Sequence, residues 1–510
     1  MANSDLDPES GRSSPILTSL NSSSALILVH DDEEETLDAD YVQEPEDTDD
    51  DDDSPYLGIT RPYVQPLSPT TVLLYLLAPY LKLGAMLLPN ADLPLKLSIP
   101  LLLAFAVLAA FARQIWYLLS RYLQKGPGEE DVLVDAFSIS RGSRITRQRI
   151  RGTIRSGTRA VTGISRLFLA TTYLRASHTL LLSLPSDIYI SNWAFTLILA
   201  LFIYPFVIAQ SLGSKRIIYS TWISIASYVL WLFCVIYAHA NGAPTGHSSW
   251  LRMGSLWEGV TTIAFTFTSS STLTLYASLK ASAHAAKSAA TKTPLSRSFK
   301  ILSIVSVALA VCLTFPSLIF AASPNKPQSQ DTPSYRLGPF ILALSAITLL
   351  LGIPLVLTTT PSLPIPERLR RRTTIPLSKT IIFIIVVALS LVPMNVFRVY
   401  SDMLIICALA GTYFLPALVH ITTHFFKRPL SIIVPALPLP PLPDSSFSLV
   451  SPTSTTPNSA NDPLLQRKEL MLRRKQFGRR IIWDIGVWTL LLPVGGGGFL
   501  WAAARIAGRC

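Results

Sequence analysis

The chain has 510 residues, of which 49% are hydrophobic and only 15% charged, and its mean hydropathy is +0.41. Soluble domains contain about 25% charged residues, so this composition excludes an ordinary soluble protein and indicates a polytopic membrane protein. The net charge of +11 conceals an uneven distribution, since residues 1–55 hold 18 of the 32 acidic residues and a single base. The basic excess in the rest of the chain is typical of membrane topology, and we do not predict nucleic-acid binding.

Charge and composition divide the chain into four parts. Residues 1–67 form an acidic cytosolic tail that is too polar to build a core, and we predict it to be disordered. Residues 68–425 form a ten-helix core, which contains an arginine-rich cytosolic loop at 120–160. A Pro- and Ser-rich basic cytosolic loop follows at 426–480, and residues 481–510 comprise an eleventh helix with a short outer tail.

Apolar runs predict the membrane-spanning helices. A span needs about 20 mainly apolar residues, because each helical residue rises about 1.5 Å across about 30 Å of hydrocarbon. Segment 161–185 is long enough but contains Arg166, Arg175 and His178, so its hydropathy alone leaves it undecided. Ten other segments meet the criterion clearly: 68–89, 97–119, 192–211, 217–239, 256–277, 301–322, 337–358, 380–397, 403–425 and 481–503.

The basic residues of the loops decide the case of segment 161–185. If it spans the membrane, 30 Lys and Arg residues lie on one side of the membrane and seven on the other. Without that span the bias would largely reverse, whereas cytosolic loops are enriched in Lys and Arg. We therefore predict an all-α polytopic protein with eleven transmembrane helices and a cytosolic N-terminus. Arg166 is then expected to extend to the cytosolic lipid headgroups.

Two cytosolic segments carry features that favour binding to partners. Seven arginines lie among Ser and Thr residues at 141–159, which favours contact with anionic lipids. The segment 435–443, PALPLPPLP, has P-x-x-P spacing and is either a stiff spacer or a docking site for an aromatic-lined groove. The acidic tail offers a further surface for cytosolic proteins.

The sequence contains no recognisable motif for catalysis, phosphate binding or metal coordination. The four cysteines have no paired spacing, the histidines are scattered, and acidic residues near the spans are few. We therefore predict neither an enzyme nor a bound metal or organic cofactor. Gly, Pro and small polar residues inside the predicted spans fit the movement of a solute better.

Hydroxyl side chains concentrate in one predicted span. Seven Ser and Thr residues lie between Thr266 and Thr274, near the middle of segment 256–277. Hydroxyls in hydrocarbon need partners, which are carbonyls one turn back, neighbouring helices or a polar ligand in a cavity. On these residues alone, helix packing and ligand binding explain the run equally well.

Several segments, in order along the chain, resemble the amino acid/auxin permease family, particularly its vacuolar and sodium-coupled neutral amino-acid transporters. IAFTFTSSSTLTLYASLK at 263–280 is similar to the sixth helix of that family, and the segment 401–421, with its G-x-x-x-x-x-P-A pattern, resembles the tenth. Segment 193–227 is similar to helices four and five, and ALSAITLLLGIPLVL at 343–357 resembles the eighth. The resemblance covers about residues 68–503 and identifies a divergent member.

The resemblance implies a LeuT-like fold of two inverted five-helix repeats followed by one further helix. In that fold the first and sixth helices are broken, and groups at the breaks bind the substrate. On the first helix it implies a substrate site at Gly84, which together with Pro89 can interrupt the helix. On the sixth helix it implies Phe265, Phe267, Ser269, Ser270, Ser271 and Thr272.

The first helix also bears on ion coupling. The family pattern there is an asparagine followed by G-x-G-I-L-x-L-P, and alignment on Gly84 and Pro89 puts Lys82 at the first glycine. A cation then stands where a cation ligand is expected, so we predict proton rather than sodium coupling, with Lys82 as carrier. The alternatives are that Lys82 only extends to the membrane surface, or that this alignment of the first helix is shifted. Glu258 is a second candidate carrier, and Thr348 matches a threonine that helps hold sodium in some members.

These features predict a secondary active transporter, a symporter or antiporter, that moves small neutral amino acids by alternating access. The alternative is a transporter-derived sensor or membrane scaffold that binds an amino acid without efficient transport. The resemblance favours a vacuolar or other endomembrane location and leaves the plasma membrane open.

Overall fold

The structure is a computed structural model, and the residues that it describes all belong to the unit Pro62–Cys510. The predicted acidic tail up to residue 65, the loop 426–480 with its Pro-rich segment 435–443, and most of 481–510 lie outside the described residues. The described ranges are 66–90, 95–123, 129–137, 144–184, 191–209, 211–240, 256–269, 272–287, 295–321, 337–363, 376–423, 483–490 and 496–497.

Helices account for nearly all of this part of the chain, and no β-strand occurs within it. Short 3-10 segments lie at Ala78–Leu81 and Leu88–Asn90, a π-helical turn lies at Ala410–Phe414, and residues 483–489 are helical. The α-helices are α1 (Pro69–Leu77), α2 (Leu83–Leu87), α3 (Leu95–Leu123), α4 (Glu129–Phe137), α5 (Arg144–Leu182), α6 (Asn192–Val207), α7 (Lys215–Ala240), α8 (Leu256–Thr266), α9 (Thr272–Lys287), α10 (Leu295–Ala321), α11 (Gly338–Leu350), α12 (Ile353–Thr359), α13 (Leu377–Ser390), α14 (Met394–Leu409) and α15 (Leu415–Ile421).

Within the described residues, six helical segments are long and apolar enough to cross a membrane, as an integral membrane protein requires. The apolar helices α6 and α13 are shorter. The helical membrane architecture is therefore confirmed, whereas the eleven spans and the inverted repeat stay predictions. The six segments are Pro69–Leu87, Leu95–Ser120, Lys215–Ala238, Ser298–Ile319, Gly338–Thr359 and Met394–Ile421.

The boundary between the last two core helices differs from the prediction. We predicted spans at 380–397 and 403–425, but α13 ends at Ser390 and α14 begins at Met394. Pro393 explains the shift, because its nitrogen cannot donate to the preceding turn of α13. Hydropathy could not find this boundary, since apolar residues continue on both sides of the proline.

The arginine-rich segment is helical rather than a loop from Arg144 onward. It forms the first part of α5, whose 39 residues extend over about 58 Å. The shorter helix α4 packs against it, and Glu130 accepts a hydrogen bond from Arg159 at 2.6 Å while Asp131 pairs with Arg155. The next residue along α4 pairs with an earlier residue of α5, since Glu130 pairs with Arg159 and Asp131 with Arg155. The two helices therefore run in opposite directions.

Helices from the two halves of the core pack in pairs. Helix α3 lies along α10, α5 along α11, α6 along α13, and α2 against α8. Arg175 joins α5 to the turn between α13 and α14, since it donates to the carbonyl oxygen of Val392 and its guanidinium lies 4.3 Å above the ring of Phe397. Arg175 thus has a backbone carbonyl as its hydrogen-bond partner.

The first span is interrupted between α1 and α2. Pro79 has no N–H to donate within a helix, and the chain tightens here into the 3-10 segment. Lys82 then leaves helical geometry with φ −110° and ψ −141° before α2 begins at Leu83. Gly84 lets α2 approach α8 closely, because a Cβ at this position would lie 2.5 Å from Cα of Thr266. The interrupted first span and α8 are therefore fitted to each other at Gly84.

Replacing Gly84 by alanine tests this fit. Gly84→Ala forces α2 and α8 apart, and overpacking of this kind costs about 1–3 kcal/mol, so the thermal unfolding temperature in detergent should fall. Gly163→Ala in α5 is the matched control, because a Cβ there meets nothing within 4 Å. That control should be neutral or stabilise the helix by about 0.5–1 kcal/mol. Equal unfolding temperatures for both variants would contradict the close approach at Gly84.

Candidate functional site

A second interruption separates α8 from α9. The hydroxyl of Thr268 donates to the carbonyl of Phe265 at 2.8 Å, and its backbone N–H donates to the same oxygen at 3.1 Å. This local bonding competes with the regular helical pattern and ends α8 after Thr266. The predicted residues Ser270 and Ser271 lie outside the described residues, and α9 begins at Thr272.

Thr412 satisfies the backbone at this second break. The N–H of Ser269 donates to the Thr412 hydroxyl at 3.2 Å, and that hydroxyl donates to the carbonyl of Ser269 at 3.3 Å. Thr412 lies in the π-helical turn between α14 and α15, a local widening that is frequent at functional sites. The adjacent Tyr413 donates to the carbonyl of Ala264 at 3.1 Å. The π-helical turn and its neighbour Tyr413 thus hold the break between α8 and α9 in place.

Arg113 on α3 connects the two breaks, and it is only 2% exposed. Its guanidinium donates to the carbonyl of Leu76 at 2.8 Å, to the hydroxyl of Ser306 on α10 at 2.9 Å and to that of Ser269 at 3.3 Å. It also lies 4.4 Å from the centre of the Tyr80 ring, within the range of a cation–π interaction. One side chain therefore contacts the first span, the sixth-span break and α10.

The position of Pro79 explains why the Leu76 carbonyl needs Arg113. In the i→i+3 bonding of a 3-10 segment, the donor to Leu76 would be residue 79, and proline has no N–H. A buried carbonyl without a donor is costly, and Arg113 supplies one. We did not single out Arg113 from the sequence, although a lone arginine inside an apolar span is a signal of this kind of role.

Lys82 lies at the first break and is 3% exposed, so it does not extend to the membrane surface. Its ammonium group donates to the hydroxyl of Ser224 on α7 and, at 3.1 Å, to the carbonyl of Thr348 on α11. The Ser224 hydroxyl in turn donates to the same carbonyl at 2.8 Å. The two residues predicted for ion coupling on the first and eighth spans are thus brought together.

An irregular turn between α11 and α12 leaves the carbonyl oxygen of Thr348 without its usual helical hydrogen bond. The N–H of Gly352, which would bond it in a regular helix, donates instead to Leu349 at 3.0 Å. Gly352 also leaves room for the lysine, because a Cβ there would lie 3.1 Å from Cε of Lys82. The hydroxyl of Thr348, which matches a threonine that helps hold sodium in some permeases, donates to the carbonyl of Leu344 at 2.8 Å. The backbone carbonyl is the group that faces Lys82.

A cavity of about 490 Å³ borders both breaks. Four of the residues predicted for substrate binding line it: Gly84, Phe265, Ser269 and Thr272. Phe267 is not among the described lining residues, because it is fully buried against Tyr80 with the ring centres 5.5 Å apart. Glu258 lies in the first turn of α8, and its side chain falls outside the described part of the structure.

Two charged residues line the same cavity, Glu129 of α4 and Arg166 of α5. Arg166 was expected to reach the lipid headgroups, but it is 8% exposed and interacts electrostatically with Glu129. Burial raises the pKa of the Glu129 carboxyl, and the nearby positive charge of Arg166 opposes that shift. The expectation for Arg166 was wrong because its acidic neighbours on α4 lie more than 20 residues earlier in the sequence, where local patterns do not connect them to α5.

No protein-family model and no curated protein matches the chain. Within the described residues there is no group of three or more His, Cys, Asp or Glu side chains that could hold a metal ion. Interpretation of the site therefore rests on its own residues and on their geometry.

Replacing Arg113 by lysine tests its role at the breaks. Arg113→Lys keeps the charge but removes the planar fork, so one ammonium cannot serve all three acceptors. Loss of hydrogen bonds from a charged donor should destabilise the protein by about 2–3 kcal/mol, measured as a lower unfolding temperature in detergent. Arg398→Lys, at an exposed position on α14, is the matched control and should unfold like the wild type. If both substitutions have the same small effect, Arg113 does not hold the breaks.

Proposed function

We propose that this protein is a secondary active transporter that moves small neutral amino acids across a membrane by alternating access, coupled to protons. The observation that carries the proposal is a cavity that borders two interrupted helices, with a buried lysine at one of the interruptions. Membrane-depth backbone outside a regular helix is tolerated where it is buried in protein or lines a water-filled cavity. Pro79 and Ser269 meet that condition, since both line the cavity.

The size and lining of the cavity suit a small polar solute. Sites for small molecules usually measure about 300–1,000 Å³, and 490 Å³ falls within this range. Hydroxyl-bearing residues from three parts of the chain line it: Thr162 of α5, Thr268 at the second break and Thr412 of the π-helical turn. Apolar side chains such as Trp116 and Phe265 complete the lining, which fits an amino acid with a short side chain.

The pairing of helices supports a LeuT-like arrangement with two related halves. Counting spans from α1, the contacts of α3 with α10, α5 with α11 and α6 with α13 join spans that are five apart. The first and sixth spans, which carry the two interruptions, also contact each other through α2 and α8. Two inverted five-helix repeats, with the substrate between their broken helices, would give these contacts.

The environment of Lys82 supports coupling to protons. Its charged form donates to two oxygen atoms, on α7 and on α11, and holds these helices to the first break. Loss of its proton would remove a positive charge and a hydrogen-bond donor there, so proton release can change how the three helices pack. Lys82 thus takes the part that a bound sodium ion plays in related permeases, and Glu258 is a second candidate carrier.

The proposal includes the orientation of the protein in the membrane and its location in the cell. The predicted cytosolic side carries the N-terminus and the basic segment 141–159, which favours anionic lipid. Glu129 and Arg166 lie next to that segment, so the cavity is expected to communicate with the cytosolic side. A vacuolar or other endomembrane location, with an acidic lumen, would supply the proton gradient.

Uptake by purified protein in liposomes tests the proposal. Labelled neutral amino acids should accumulate when a proton gradient is imposed and not when a sodium gradient replaces it. Binding of label without accumulation would instead favour the sensor or scaffold. If no amino acid in a complete panel is bound or accumulated, the proposed function is wrong.

Lys82→Ala tests the coupling step separately. The variant should lose at least about tenfold of gradient-driven accumulation, while exchange of labelled for unlabelled amino acid without a gradient continues, because only the proton carrier is missing. Lys96→Ala, at an exposed position on α3, is the control and should behave like the wild type. A Lys82→Ala protein with full pH-driven uptake would exclude Lys82 as the carrier.

A further inference from the structure

The Glu129–Arg166 pair is the only charged part of the described cavity lining. All other described lining residues are apolar or carry hydroxyl groups, apart from glycines and Cys407. An acidic and a basic group on one cavity wall are unusual in such surroundings, because burial of a charge is tolerated only with a partner. Glu129 and Arg166 interact electrostatically with each other.

The pair lies beside the route to the breaks. Residues of α5 line the cavity from Gly157 to Tyr173, which corresponds to about 24 Å along the helix. Tyr173 is the last residue of α5 in this lining, and Pro79 and Gly84, on either side of the first break, line the same cavity. Arg166 lies two helical turns earlier, about 10 Å away. A solute that moves along α5 toward the breaks therefore passes the pair.

A zwitterion loses hydration at two charged groups when it enters a narrow cavity. Hydroxyls alone compensate this loss only in part, because they lack the Coulomb attraction that an opposite charge supplies. A fixed carboxylate and a fixed guanidinium match the ammonium and the carboxylate of an amino acid. Each charge of the ligand then meets an opposite charge of the protein, so no charge is left unpaired.

We propose that Glu129 and Arg166 form a second binding station for the amino acid, on the α4 side of the breaks. Glu129 receives the ammonium group and Arg166 the carboxylate. This inference rests on the proposed function and adds side chains that recognise the charged groups common to all amino acids. It also explains why the cavity can favour neutral zwitterions, since the station itself has no net charge.

The neighbouring ion pairs of α4 provide a control within the same helix pair. The pairs Glu130–Arg159 and Asp131–Arg155 also attach α4 to α5. None of these four residues is among the described lining residues of the cavity. Arg155→Gln therefore weakens the attachment of α4 without touching the station. A loss caused by movement of α4 would occur in this control as well.

Binding of labelled L-alanine to the purified full-length protein tests the station. Glu129→Gln and Arg166→Gln should each weaken binding at least about tenfold, because one charge of the ligand then faces an unmatched group. Arg155→Gln should stay within about twofold of the wild type. Competition distinguishes the two roles: Glu129→Gln should abolish competition by ethylamine but not by propionate, and Arg166→Gln should do the reverse.

Two further measurements keep the result decisive. Unfolding temperatures identify any variant that is misfolded, and Arg166→Lys, which retains the charge, should recover part of the affinity. If both glutamine variants bind and accumulate alanine like the wild type, Glu129 and Arg166 do not form a binding station, and the proposed transport function is unaffected. The station is also wrong if Arg155→Gln loses as much affinity as they do. A wild-type protein that binds no amino acid overturns the transporter and the station together.

Discussion

Backbone carbonyl groups released at helix interruptions are the constraint on which this structure depends. In a membrane they cannot turn to bulk water, so side chains must supply their hydrogen-bond donors. Arg113 donates to the carbonyl of Leu76 at the first break, and Lys82 to that of Thr348 at the turn between α11 and α12. At the sixth-span break, the hydroxyl of Thr412 serves the backbone of Ser269 in the same way.

These donors also connect the interruptions to neighbouring helices. Arg113 lies on the uninterrupted helix α3 and also donates to Ser306 on α10. The first break is therefore hydrogen-bonded to a pair of helices that pack against each other. Lys82 reaches Ser224 on α7 as well as α11. A movement of either break must therefore break bonds to at least two neighbouring helices, which favours a few discrete arrangements over continuous deformation.

Local chemistry in the sequence predicted much of this fold, and distant contacts account for what it missed. Gly84 with Pro89 predicted an interruption of the first span from effects that act within about one helical turn, and the observed break lies just before them, at Pro79 to Lys82. The break near Ser269 was implied by the family resemblance. The partners of Arg113 and Lys82 could not be derived in this way, since residues 37 and 266 positions away supply them. Arg166 was assigned to the lipid headgroups for the same reason. Its acidic partner lies on α4, which charge counting had treated as part of a loop.

The buried cations and the interruptions explain each other. A guanidinium or ammonium group withdrawn from water costs several kcal/mol, and well-packed apolar residues are often at least as stabilising at such positions. That cost is understandable only where a carbonyl would otherwise lack a donor, as at Leu76 opposite Pro79. Continuous helices would need neither Arg113 nor Lys82 in their interior. The two cations are therefore best understood as part of the interrupted helices, and the interruptions, in turn, as features that the rest of the chain is built to maintain.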